Sequence, residues 1–93
     1  MIKSFKDTMT ETVANGMVPK GFPADLVKVA RRKLGMLNAA TNLSDLRVPP
    51  ANHLEALKGE RKGQHSIRIN DQFRVCFVWT PEGPEQVEIV DYH

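Results

Sequence analysis

Residues 66–79 read SIRINDQFRVCFVW, and within them the apolar side chains fall on alternate positions. Ile67, Ile69, Phe73, Val75, Phe77 and Trp79 all carry odd numbers, as do Val87 and Ile89 further on. A period of two places successive side chains on opposite faces, so the pattern predicts an antiparallel sheet with one face buried. Directly opposed residues of a hairpin point to the same face. A two-residue loop at Asn70-Asp71 would set Ile67 against Arg74 and mix core with surface. A three-residue loop, Asn70-Asp71-Gln72, pairs Ile69 with Phe73, Arg68 with Arg74 and Ile67 with Val75, and this register is predicted, with a bulge at Gln72.

Two arginines then face each other across the hairpin, on the side away from the core. Like charges in that relation cost up to about 1 kcal/mol. Water offsets the cost if the pair is merely solvated; an anion between them would turn it to use, because the planar guanidinium fork suits phosphate oxygens. Thr80-Pro81-Glu82-Gly83-Pro84 is the turn into a last strand, since its prolines cannot sit in a central ladder. Antiparallel return from there brings Val90, Asp91 and Tyr92 beside Phe73, Arg74 and Val75, within one register step. Lys58, Arg68, Arg74, Asp91, Tyr92 and His93 are thereby expected around one surface, with Arg61 and Lys62 just before the hairpin.

Upstream, residues 23–40 form the clearest helix. Leu26, Ala30, Leu34 and Leu37 make one apolar stripe, widened by Val27, that can cover the buried face of the sheet. Lys28, Arg31, Arg32 and Lys33 take other parts of its circumference; such a basic face is solvated or meets an acidic partner or nucleic acid. Residues 7–15 are weakly helical, since Thr8, Thr10 and Thr12 are poor helix formers, and Asn15-Gly16 is a plausible stop. Residues 1–5 are an edge strand or an extended lead-in. Residues 41–53 are expected to be a connection anchored by Leu43 and Leu46, with no helix at Pro49-Pro50. The sum is an α+β fold: helices first, then a three-stranded meander, in a single domain over residues 1–93.

Composition bounds the function. The 93 residues carry a net charge of +2. Residues 1–81 hold thirteen Lys/Arg against seven Asp/Glu, whereas residues 82–93 hold four acidic residues and no Lys/Arg. A basic body favours polyanions, nucleic acid above all, although a solvated charge pattern without a ligand reads the same. One cysteine, Cys76, excludes an internal disulfide framework and suits a reducing cytoplasm. Neither a signal peptide nor a membrane span is expected from the apolar runs.

His53, His65 and His93 lack metal-ligand spacing, and Gly59 and Gly63 do not make a phosphate-binding loop, so neither a metal nor another cofactor is expected. Cleavage of RNA without a metal needs a base for the 2′-hydroxyl, an acid for the leaving 5′-oxygen, and cations for the phosphorane. Arg74 and Arg68 suit the last task. The imidazole of His93 suits proton transfer, Asp91 a base or an orienting group, Lys58 a stabiliser or a base, and Tyr92 stacking on a nucleobase. Taken singly, each has a plain structural use instead: a terminal histidine, a packed tyrosine, a neutralising aspartate, a loop lysine.

The run PPANHLEALKGERKGQHSIRINDQFRVCFVW (residues 49–79), with VEIVDYH at 87–93 and the opening MIKSF, resembles the HigB-type toxins of the RelE/ParE superfamily over nearly the whole chain. The resemblance implies two N-terminal helices packed on one face of a small curved antiparallel sheet. It implies a toxin that cuts mRNA in the A site of the 70S ribosome, without a metal. It also implies a HigA-type helix-turn-helix antitoxin as partner, through which alone operator DNA is met, and no membrane. The family's active-site lysine falls on Lys58, its main catalytic arginine on Arg74, and its terminal triplet on Asp91, Tyr92 and His93; Arg68 is added from strand parity, and Arg61 and Lys62 as further phosphate contacts. Some relatives have a histidine where Glu55 stands, which places a negative charge near the RNA here. The other branch of the superfamily, which poisons DNA gyrase, lacks these residues; a non-catalytic module that binds RNA or antitoxin is the further alternative.

Overall fold

In a computed structural model that describes residues 1–91, α1 (Thr8–Ala14) and α2 (Val27–Ala39) precede a four-stranded antiparallel sheet. Its strands are β1 (Glu55–Ala56), β2 (His65–Arg68), β3 (Phe73–Thr80) and β4 (Gly83–Asp91), in the spatial order β1-β2-β3-β4. The observed pairs Ile67–Val75 and Arg68–Arg74 are those parity requires. Asn70 closes the loop between β2 and β3: its Oδ1 accepts from the backbone N–H of Gln72 at 2.9 Å and of Phe73 at 2.7 Å. The register irregularity falls elsewhere than at Gln72. Cys76 pairs with Glu88 but Val78 with Glu85, so Gln86 and Val87 together oppose Phe77, and Gln86 takes a left-handed φ of 52°. Such a bulge bends and twists the ribbon.

The odd-numbered face is buried as expected. Ile67, Val75, Phe77 and Val87 are fully inaccessible, and they pack with Val13 of α1 and with Ala30, Leu34 and Leu37 of α2. The first turn of the expected 23–40 helix is a short 3-10 segment, Ala24–Leu26, entered from Pro23. The threonines of α1 do more than weaken it. Asp7 caps the helix through Oδ1 to the N–H of Thr10 at 2.8 Å, a contact that satisfies one of the orphan donors of the first turn. Thr10 is wholly buried, and its hydroxyl accepts the N–H of Ile89 on β4 at 2.9 Å. The stop at Asn15-Gly16 forms with Gly16 at φ 82°, and Met17 N–H returns to Thr12 O at 3.1 Å.

Besides the bulge, three features differ from the sequence reading. Lys33, expected on the basic face of α2, is buried. A fourth strand, β1, adds to the meander; two residues are too few for a periodic signal. Pro50–Asn52 is a short 3-10 turn with proline at its start, where a missing N–H costs nothing. The segment at residues 3–6 lies along the sheet edge, in keeping with the sequence reading: Lys3 N–H bonds Pro84 O, Val87 N–H bonds Ser4 O, and Lys6 N–H bonds Val87 O, at 2.8, 3.0 and 2.9 Å. This segment runs parallel to β4 on its outer side, with Phe5 bridged to Val87.

Candidate active site

Even numbers in the hairpin define the second face, and it is not bare. Ser66 and Cys76, directly opposed, are both fully buried. From the loop after β1, Arg61 reaches Glu88 on β4 with Nη1 3.2 Å from Oε1. Burial pushes the Cys76 thiol up from its ordinary pKa, which makes it a packing residue and a poor nucleophile.

Arg74 leans across this face towards β1. Its Nε donates to Ser66 Oγ at 2.7 Å and its Nη2 to the backbone carbonyl of His53 at 2.6 Å. Glu55 Oε1 lies 4.0 Å from Nη2. The arginine side chain is only 13% exposed, so its guanidinium is aimed by neighbours and does not sweep through solvent. Arg68, its cross-strand partner, turns the other way and pairs with Asp71 in the hairpin loop. The two opposed arginines therefore diverge, each towards its own acceptor. An anion clasped between them is not required to relieve their repulsion.

The remaining basic residues separate as well. Arg61 is absorbed by Glu88 and by Gln64, the latter at 3.1 Å, and Glu88 also meets Lys6 at 3.8 Å. Lys62 is exposed beside it. Lys58 is exposed at the start of the short turn Gly59–Arg61 and lines an open cleft of about 340 Å³ with Glu55, Ala56 and Leu57. Glu55 belongs both to this cleft and to the Arg74 ion pair, so the Lys58 cleft adjoins the Arg74 guanidinium through Glu55.

Asp91 stands opposite Phe73, one step from the expected position beside Arg74, and accepts from Gln72 Nε2 at 3.0 Å. Its parity is that of the core face at the end of the sheet. Tyr92 and His93 lie outside the described residues. Among the described residues no group of three or more His, Cys, Asp and Glu is placed to hold a metal ion, and no helix is long and apolar enough to cross a membrane. Two contributors escaped the sequence reading. Ser66 shares parity with Arg74 and sits diagonally from it, so parity could have found it. The His53 carbonyl could not have been found so, because backbone carbonyls carry no residue signal.

Comparison with known proteins places the chain in a family. The family described as "RelE-like toxin of type II toxin-antitoxin system HigB" matches residues 3–93. An "Endoribonuclease HigB" of Proteus vulgaris is 30% identical over 93 residues, all of both chains. "Toxin HigB-1" of Vibrio cholerae is 47% identical over 57 residues, 61% of this chain and 60% of that protein. An uncharacterized protein of Haemophilus influenzae is 46% identical over 63 residues, 68% of this chain and 60% of that one. The matched part thus spans less than two thirds of the length of these last two relatives. With the match reaching across nearly every residue and the α+β architecture agreeing with it, the chain belongs to the HigB-like family of RelE-like toxins of type II toxin–antitoxin systems.

Proposed function

We propose that residues 1–93 act as one toxin domain, an endoribonuclease that cleaves mRNA in the ribosomal A site and so arrests translation. The observation that carries this reading is the held guanidinium of Arg74, oriented by Ser66 and His53 beside the Lys58 cleft. The name of the Proteus vulgaris relative supports the reaction class.

In the reaction, the ribose 2′-oxygen loses its proton and attacks the adjacent phosphorus. The P–O5′ bond breaks, the 5′-oxygen gains a proton, and a 2′,3′-cyclic phosphate and a 5′-hydroxyl result. Charge builds on the non-bridging oxygens of the phosphorane, and a cation already aimed there needs no reorganisation as it forms. Arg74 takes that role, assisted by Lys58 from the adjoining cleft. Arg68, with Arg61 and Lys62 further out, attracts the RNA backbone. Tyr92 stacks on or orients the base, while Asp91 and His93 position groups or move protons. A HigA-type helix-turn-helix antitoxin neutralises the toxin and brings it to operator DNA. The dependence on the ribosome fits a site that rRNA and codon complete.

The test is cleavage of a defined mRNA by purified protein, with and without 70S ribosomes. Wild type should cut only with ribosomes and in phase with codons. Arg74→Ala should lose at least about 10²-fold in kcat, the usual cost of removing one oxyanion donor, with circular dichroism unchanged. A folded Arg74→Ala that cuts like wild type overturns the mechanism. DNA damage without mRNA cuts would instead indicate a gyrase poison, and ribosome binding without cuts a non-catalytic module.

A further inference from the structure

Lys33 projects from α2 into the interior and is only 6% exposed. Among the described residues its hydrogen-bond acceptor is the neutral Oδ1 of Asn52, 2.6 Å from Nζ, and no carboxylate lies in ion-pair range. Burial, with the nearby Arg32 and Arg68 cations adding to it, lowers its pKa from the ordinary lysine value. A buried ammonium without a counter-charge does little for stability, and an apolar side chain of the same length would fill the space more cheaply. Its position therefore calls for another account.

Asn52, wholly buried, also donates Nδ2 to Leu46 O at 3.2 Å and Val48 O at 3.5 Å, and contacts Met36 Sδ at 3.8 Å. The bonds to Leu46 and Val48 hold the connection onto itself, and those to Lys33 and Met36 fasten it to α2. His53 follows with φ 45° and ψ 57°, a left-handed conformation that costs a non-glycine residue free energy and persists only where the surroundings impose it. In that conformation its carbonyl accepts from Arg74 Nη2. A continuous path thus runs from Lys33 through Asn52 and the turned peptide of His53 to the guanidinium.

We propose that Lys33 is a positioning residue: its hydrogen bond to Asn52 sets the left-handed turn whose His53 carbonyl aims the guanidinium of Arg74. The proposal rests on the reading of Arg74 as the phosphorane-stabilising group. Misplacing such a group by about 1 Å can cost on the order of 10²-fold in rate.

The test substitutes Lys33→Met in the full chain and uses two readouts. The Arg74 Nε–Hε cross-peak in a 15N-labelled sample, assigned by its loss in Arg74→Ala, should move towards the solvent-exposed arginines. On ribosomes, kcat should fall about tenfold or more with KM unchanged. An unmoved cross-peak in the folded variant overturns the proposal, as does a moved cross-peak with wild-type kcat. If Lys33→Met does not fold, Lys33→Gln, whose shorter side chain keeps a donor but draws it back from Asn52, is read in the same way. Should Arg74→Ala itself cleave like wild type, it is the reading of the site that fails, and the cross-peak alone then decides whether Lys33 sets Arg74.

Discussion

Arg74 is oriented by a hydroxyl and a carbonyl on two different elements, so loss of the cation and loss of its aim are separable experiments. Ser66→Ala removes one buried hydroxyl and leaves the charge in place. It should lower kcat about tenfold at a stability cost near 1 kcal/mol, the ordinary net worth of a hydrogen bond, checked by single-turnover cleavage and urea unfolding. Glu55 acts in the opposite sense: its carboxylate lies 4.0 Å from Nη2, and on the proposed reading it competes with phosphate for Arg74. Because Glu55 is half exposed, solvent screens the pair, and Glu55→Gln should tighten RNA binding by no more than about fivefold; the change in KM at low salt measures it. The opposition of Arg68 and Arg74 was legible from parity alone. Their divergence was not, because it depends on which acceptor each fork finds: Asp71 three residues along the chain, and a carbonyl twenty-one residues back. Likewise the pairing of Arg61, expected as a phosphate contact, with Glu88 depends on the fold and not on local sequence.

The elements show how local chemistry and tertiary contact share the work. The hairpin needed only alternation and one asparagine. Asn70→Ala removes the side-chain oxygen that accepts from the backbone N–H groups of Gln72 and Phe73 and should destabilise the protein by about 1–2 kcal/mol, read from the midpoint of urea denaturation. The helix α2 was likewise legible, since its apolar stripe spans several turns. By contrast, α1 is short and rich in threonine, and its helix depends on Thr10 serving a strand that lies seventy-nine residues on. The bulge escaped detection because Gln86 carries no glycine-like signal for its left-handed φ; the neighbouring contact of its N–H with Ser4 Oγ at 2.9 Å belongs to a distant segment. β1 escaped because its two residues are exposed and pair only at one short register.

Across the whole molecule, one apolar layer joins both helices to the odd face, and the N-terminal segment closes the side that the helices leave open. Gly83 marks how close that segment comes. A Cβ there would lie 2.3 Å from the carbonyl oxygen of Met1, on a backbone with φ 132°. Gly83→Ala should therefore cost more than about 1 kcal/mol and lower the thermal midpoint, while amide exchange at Lys3 and Lys6 accelerates. The same packing has a consequence for recognition. The outer rim of β4 already spends Pro84 O, Val87 N–H and O, and Ile89 N–H on residues 3–10. The opposite rim is a strand of two residues. Recognition by β-augmentation, in which a partner's extended segment joins a sheet as one more strand, thus meets one rim already filled and one too short to template a ladder. A protein that neutralises this toxin by extending its sheet must first peel residues 3–6 away; otherwise it binds through side chains on the helices and loops.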